Sequence, residues 1–402
     1  MAIRTKFDHL HYVPILRYKP AEMQALRYLL SEDKQRMTPL LELLPNIIVP
    51  KNIKDPRENL FTEGAKQIAL CWGHSPFFVD VELMYTVYEE SETNHYLRQF
   101  CEVASRFKLH VIPVTGLHRS QYYQTAVEKI VTSDNRGVCI RLLEHDLYNP
   151  SLERGLQQLL ARLRLRPEQV HILVDFKIVD GECMSFVDLC SRIPSPSSWR
   201  TFTVAGGAFP EDLSDFEKNN QYELSRREWM HWLDQIKNGP KLSRYPTFGD
   251  YTIQHPVYVK RTGFLNPSAS IRYTSEDYWV IMRGEGVLND DGPGYKQYWA
   301  NANLLSKRKE FCGPNFSNGD EYIYEIGQQT EDTGNARTWI QAGINHHLTF
   351  VVRQIASSFA SSSDGVPGPE SGQGLLLQQA LRTPSHEASG AGLRPRQLPL
   401  IK

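Results

Sequence analysis

Eight short apolar runs, separated by segments of helical periodicity, set the tightest limit on what this chain can fold into. They are HYVPILR, MTPLLEL, PFFVDVEL, LHVIPVTG, GVCIRLL, VHILVDF, TFTVAGG and YPTFGDY, beginning at residues 11, 37, 76, 109, 137, 170, 201 and 245. Between the early ones, AEMQALRYLLSEDKQR sets Met23, Leu26, Leu29 and Leu30 on one helical face, and NHYLRQFCEVASRF does the same with Leu97, Phe100, Cys101, Ala104 and Phe107. SQYYQTAVEKIV, SLERGLQQLLARLR, SFVDLCSRI and YELSRREWMHWLDQI read as later helices. Near-continuously apolar strands that alternate with helices imply parallel βαβ units, and eight in succession predict a closed (β/α)8 barrel, an α/β fold of TIM type. A doubly wound open sheet is the alternative, but the first run is not followed by the G-x-G-x-x-G turn of a dinucleotide site.

The chain has 402 residues, of which 41% are hydrophobic, ample for a barrel of ~250 residues and an extension. After the eighth run the pattern changes. SASIRYTSEDYWVIMRG reads as a β-hairpin, while GYKQYWANANLLSKRKEF and NARTWIQAGINHHLTFVVRQIA read as helices, the second with Ile344, Leu348, Val351 and Ile355 on one face. From about Ser357 the chain is rich in Ser, Gly and Pro and cannot bury enough apolar area to offset ordering entropy. The expected organisation is a barrel over 11–256, a hairpin and helical extension packed on it over 257–356, and a disordered tail over 357–402.

Lys and Arg number 45 against 46 Asp and Glu, so no global field marks a nucleic-acid or membrane-surface binder, and any such binding is local. Six scattered cysteines without a C-x-x-C fit reduced thiols and a cytoplasmic setting. No run approaches the ~20 apolar residues that span a bilayer, and the N-terminus lacks a signal-peptide core, so no membrane partner is expected.

Strand parity sorts the polar residues. Arg17 falls with Val13 and Ile15, Glu42 with Leu40, Arg141 with Cys139, Asp80 with Glu82, and Asp175 with Lys177; Thr115 is read with Val111 and Pro113, and Asp250 with Phe248. Each lies late in its strand, where barrel sites assemble, so these residues are expected to meet at one mouth, joined by Lys19. Several chemistries fit that ring. Glu42, Asp80, Glu82 and Asp175 are candidate acids and bases, as in glycoside hydrolysis. Arg17, Arg141 and Lys177 suit a phosphate clamp, with carboxylates holding Mg²⁺, and Lys177 has Schiff-base chemistry available. Alternatively, the ring is an ion-pair lattice that plugs the barrel.

Other candidates are less specific. Gly206 and Gly207 follow the seventh run, where barrels bind phosphate through backbone N–H groups, or they serve a tight turn. Asp250, Tyr251 and His255 stand at or beyond the last run, Arg272 in the hairpin, and His346, or Asn345 beside it, is the residue by which the extension reaches the mouth, unless it is a hydrogen-bonded core histidine. Adjacent His346 and His347 point about 100° apart on a helix and do not share one metal. Zincin, P-loop and G-x-S-x-G motifs are absent.

The stretches YVPILRYKPAEMQAL, TPLLEL, FVDVE, YPTFGDYTIQHP, ASIRYTSEDYWVIMRG, FCGPNFSNGD and GNARTWIQAGINHHLTFVVRQ, in this order over residues 12–356, resemble the protein beta family of T-even phages and bacteria. The resemblance implies no catalytic residues. It does imply a role in phage–host conflict, from the phage, mobile-element and defence-type settings of such genes. The resulting expectation is a barrel that binds a phosphate-containing ligand such as a nucleotide or nucleic acid, with hydrolysis of that ligand as its extension and a non-catalytic sensor working beside a protein encoded nearby as the alternative. The segment beyond Ser357 has no counterpart in the resemblance.

Overall fold

The computed structural model describes residues 7–45, 56–86, 95–181, 189–239, 242–260, 266–329, 332–360 and 396–397. All eight apolar runs form strands: β1 (Tyr12–Arg17), β2 (Leu40–Glu42), β3 (Phe77–Asp80), β4 (Val111–Thr115), β5 (Val138–Leu143), β6 (Val170–Ile178), β7 (Thr201–Gly207) and, after an inserted strand β8 (Asn220–Ser225), β9 (Thr247–Asp250). The eight pair in parallel and close, with β9 bridging β7 and β1, so the sheet is a barrel and not an open one.

Two apolar layers result, because each strand is covered on both faces. Val13, Ile15, Leu40, Phe78, Ile112, Val114, Cys139, Leu173, Ala205 and Tyr251 fill the interior. Leu16, Leu41, Val79, Ile140, Val174, Val204 and Phe248 point outward into the helix layer, where Trp229 and Trp232 of helix Arg227–Asn238 pack on Phe248. At the N-terminal end the barrel is closed by His11, bonded to Thr38 at 2.9 Å, by His171, bonded to Thr201 at 2.8 Å, and by Phe7 stacked on His11. Burial holds both imidazoles neutral, down to about 3.

The region read as one helix over residues 21–36 is two, Pro20–Arg27 and Ser31–Gln35, and Leu30 between them is exposed. The segment YELSRREWMHWLDQI, read as one helix, begins as strand β8, in which Tyr222 and Leu224 are buried. Two apolar residues at a spacing of two are too few to separate strand from helix, and the hairpin decides. That hairpin, β10 (Ile271–Thr274) and β11 (Tyr278–Arg283), forms as expected, and β11 pairs antiparallel with β8 along its length. Beyond it lie helices Gln297–Ser306, Asn318–Gly327 and Ala336–Ala360. The middle one was not expected from the sequence; the Ser317 hydroxyl caps it by accepting the Asp320 N–H at 3.2 Å. Ile344, Leu348, Val351 and Ile355 are buried against the barrel, and the Asn345 amide donates to the Ala25 carbonyl at 2.9 Å.

The last helix runs to Ala360, past the expected boundary at 356. Of the expected tail, residues 361–395 and 398–402 lie outside the described residues; Arg396–Gln397 forms a short strand, β12, beside β8. Of the expected helix SFVDLCSRI, residues 185–188 also lie outside the described residues; Leu189 and Cys190 are helical and a turn follows at Ser191 and Arg192. Among the described residues no helix is long and apolar enough to cross a membrane, and Cys71, Cys101, Cys139, Cys190 and Cys312 are free thiols.

Candidate functional site

The C-terminal end of the barrel is organised around one guanidinium. Arg141 leaves β5 toward the axis, two residues after inward-facing Cys139, and is buried. It donates to Asp80 Oδ2 at 2.7 Å, to Glu42 Oε1 at 2.8 Å, to the Tyr251 hydroxyl at 2.8 Å, and through Nε and Nη2 to Asp175 Oδ2 at 2.9 and 2.7 Å. Carboxylates from β2, β3 and β6 are thus joined by a residue of β5. Burial opposes the charge on Arg141, and Tyr251 and the three acids more than reverse that.

The acids respond in kind. Burial pushes the Asp80 carboxyl up, but Arg119 and Arg141 outweigh it and leave it below its ordinary value. Burial likewise acts against Asp175, and Lys177, Arg141 and the Tyr251 hydroxyl bring it down to about 2. Both are ionised, and their oxygens are engaged. Asp80 Oδ2 also accepts from Arg119 at 2.8 Å, and its Oδ1 from the Glu82 N–H at 3.0 Å. Asp175 Oδ2 accepts from Tyr251 at 2.6 Å, and its Oδ1 from the Lys177 N–H at 2.9 Å. Burial keeps the Tyr251 phenol protonated, so it donates to Asp175 while accepting from Arg141 and Lys177.

Lys177 differs from the rest. The β6–β7 register shifts between Asp175 and Ile178, and Lys177 takes a left-handed φ of 58°, strained for a side chain with a Cβ. This bulge carries its ammonium over the ring of the mouth, 2.9 Å from Tyr251, 3.2 Å from Asp175 and 3.7 Å from Glu42. Its side chain stays 33% exposed, whereas Asp175, Asp80, Glu42 and Arg141 are 0 to 5% exposed. Around it, Arg17 is buried beside Glu42 at 3.9 Å and donates to the carbonyls of His255 and Pro256 at 2.7 and 3.0 Å. Lys19 lies over the Tyr258 ring at 5.6 Å. A gap at this end, lined by Ile15, Leu16, Arg17, Tyr251, Thr252 and Gln254, is too narrow to hold a water molecule.

The remaining expected residues fall elsewhere. Partners directly across a parallel ladder share a face: Phe78 pairs with Ile112 and Val114 with Cys139, so β4 points Ile112 and Val114 inward. Thr115 therefore faces the helices, where its hydroxyl donates to Gln124 at 3.1 Å. The same correction applies to Asp250. Val13 and Ala205 lie opposite Gly249, which makes Gly249 and Tyr251 the inward positions and turns Asp250 out. There Asp250 accepts from Tyr12 at 2.5 Å and pairs with His347 at 2.8 Å, and His347 contacts Thr274 at 2.8 Å, which ties barrel to extension. His346 does not reach the mouth; it is buried between Asp320 and the Thr274 carbonyl, 2.8 Å from each.

Glu82 lies past the end of β3 in a short 3₁₀ turn, half exposed and ion-paired with Arg119. Arg272 donates to the Ile253 carbonyl at 2.9 Å and covers the Phe209 ring at 4.7 Å, under the loop after β9. His255 gives the mouth its carbonyl, while its ring turns to the Val257 carbonyl at 3.3 Å. Gly206 and Gly207 answer to packing: a Cβ would stand 2.6 Å from Val179 on the one and 2.8 Å from Pro256 on the other. Arg119, which completes the ring, was missed by strand reading because it lies in the loop after β4. Tyr251, read only as standing at the strand end, proves to be a direct partner of both Arg141 and Asp175.

Asp80 and Asp175 have both oxygens engaged, Glu42 Oε2 has Arg17 at 3.9 Å, and among the described residues the mouth acids form no group of three with metal-ligand spacing. Lys177 is a partly open cation above the buried, mutually paired Glu42, Asp80, Asp175 and Arg141. No curated protein matches the chain. The family model described as Beta protein matches residues 12–353, most of the chain, and the protein therefore belongs to the Beta protein family.

Proposed function

We propose that the protein is a recognition barrel that binds a phosphate-containing anion, a nucleotide or a nucleic-acid segment, at the barrel mouth, and that it acts as a sensor and not as a hydrolase. The observation that carries this reading is Lys177: its strained backbone sets a side chain that is one third exposed over acids already engaged by Arg141. Strain of this kind is commonly kept where it serves a site. Lys19, which with Arg17 lies over the Tyr258 ring, adds a further cation at this end of the barrel. A glycosidase or acid–base hydrolase needs a carboxylic acid that holds its proton, and Asp80 and Asp175 both lie below their ordinary range. Glu22, which burial pushes up, sits behind Gln254 and is 1% exposed. A role in phage–host conflict, working with a partner protein, rests on the family resemblance alone.

The test is calorimetric titration of the full chain with ATP, GTP, inorganic phosphate and short single-stranded RNA, for the native protein and Lys177→Met, with product release followed in parallel. Binding of one of these anions that weakens at least tenfold in Lys177→Met, without product, is expected. Turnover of a bound nucleotide, or binding indifferent to Lys177, overturns the reading.

A further inference from the structure

A second cluster stands on the barrel rim, independent of the anion reading. The loop after β4 presents His118, and the short helix Glu144–Leu147 after β5 presents His145 and Asp146. One ligand atom from each lies within 4.8 Å of the others. His118 Nε2 is 2.6 Å from Asp146 Oδ1, and His145 Nε2 is 3.9 Å from the same oxygen. The two rings are 5.1 Å apart at 37°. Two imidazoles from different strand ends thus aim the same nitrogen at one carboxylate oxygen.

The carboxylate is held in place from behind. Asp146 Oδ2 accepts the Leu143 N–H at 2.7 Å and the side chain is 2% exposed, so Oδ1 is the atom left to face the rim. The imidazoles, by contrast, are 61% and 64% exposed, free to adjust and open to solvent on their outer side. A hydrogen bond between His118 and Asp146 engages one imidazole, while the other has the oblique ring contact and a nitrogen 3.9 Å from the same oxygen. A shared cation accounts for both. Bonds of about 2.0 to 2.2 Å around a tetrahedral ion set its ligands roughly 3.4 Å apart, so each nitrogen-to-oxygen distance has to change by less than about 1 Å.

We propose that His118, His145 and Asp146 bind one divalent transition-metal ion, with the remaining coordination positions open to water or an external ligand. Two imidazoles and a carboxylate select borderline ions such as Zn²⁺ or Ni²⁺ over Mg²⁺ and Ca²⁺, which take oxygen ligands. Three protein ligands and an open position are the arrangement of exchangeable sites, whereas structural zinc is closed by four. The carboxylate is oriented from its second oxygen, as metal-bound carboxylates are. Arg119, next in sequence to His118, reaches inward to Asp80, so the ion would sit on the outer side of the loop that completes the mouth.

The experiment is titration of the untagged full chain with Zn²⁺ and Ni²⁺ by calorimetry, and with Co²⁺ by visible absorption, for the native protein, His118→Ala, His145→Ala and, as a control, the exposed His74→Ala. One ion per chain is expected, with Co²⁺ giving the absorption of nitrogen and oxygen ligands. Since losing an outer partner of a ligand already weakens binding 10- to 100-fold, loss of either histidine ligand should weaken it by at least about 100-fold. His74→Ala should bind as the native chain does, and Mg²⁺ in excess should not compete. Asp146 is left intact because it holds the turn at Leu143. No binding by the native chain, or binding that persists in His118→Ala and His145→Ala, overturns the proposal; a Co²⁺ spectrum with thiolate charge transfer does so too, because it assigns the ion to cysteine.

Discussion

Replacing Arg141 by Met tests whether the ring at the barrel mouth is one electrostatic unit. The change keeps an unbranched stem but removes the donor shared by Glu42, Asp80 and Asp175. Removing one partner of a buried ion pair costs about 3 to 5 kcal/mol, because the other charge is left in a medium that does not solvate it. Three acids lose a partner here, but none loses its last. Asp80 keeps Arg119 at 2.8 Å, Asp175 keeps Tyr251 at 2.6 Å and Lys177 at 3.2 Å, and Glu42 keeps the more distant Arg17 at 3.9 Å and Lys177 at 3.7 Å. The expected loss is therefore about 3 to 5 kcal/mol in total and not three times that. At roughly 1 to 2 °C per kcal/mol for a folded unit of this size, Tm falls by about 3 to 10 °C in differential scanning calorimetry. Neutralising the acids as well, with Glu42→Gln, Asp80→Asn and Asp175→Asn in the Arg141→Met background, should recover much of the loss, since a buried ionic group replaced as a whole is often close to neutral. An Arg141→Met protein as stable as the native one, or neutralisation that deepens the loss, would refute the reasoning.

Lys177→Met should cost no more than about 1 kcal/mol, because the lysine is partly exposed and Asp175 retains Arg141 and Tyr251; urea unfolding measures it, and a loss like that of Arg141→Met would make Lys177 part of the plug. His347→Leu should cost about 1.5 to 3 kcal/mol, because burial holds the imidazole neutral and Asp250 loses one hydrogen bond while keeping the Tyr12 hydroxyl at 2.5 Å; the loss is read as a fall in the urea midpoint. Acid should unfold the protein in two stages. His11 and His171 titrate at 6.5 when unfolded but only at about 3 when folded, so their stabilisation is complete above 6.5 and is lost as pH falls toward 3, where loss of the Asp175 contribution, present above 3.8, follows through about 2. Burial raises Glu228 from 4.5 to about 8, Arg226 only partly offsetting it, so the folded state holds the extra proton and stability falls as pH rises through that window; Glu228→Gln should flatten this decline in denaturation measured between pH 5 and 8.

The sequence by itself determined the architecture. Eight apolar runs alternating with helical segments leave few arrangements in which every strand is covered on both faces, and all eight runs became barrel strands. It also placed Arg17, Glu42, Asp80, Arg141 and Asp175 at one end, since inward parity in β1, β2, β3, β5 and β6 is marked by a polar residue following apolar ones. The tertiary structure alone decided the rest. In β4 and β9 the parity could not be read, because both barrel faces are apolar: Phe248 resembles an inward residue while packing on Trp229 and Trp232, and Gly249 has no side chain to mark the inner face. Strand β8 depended on a hairpin nearly fifty residues further on. Nor does any sequence spacing announce that Arg141 takes three acids, or that His118 meets His145 and Asp146 across a loop and a turn. Those meetings follow from the barrel's closure, which brings distant strand ends within a few ångströms, where Coulomb attraction and hydrogen bonding choose the partners.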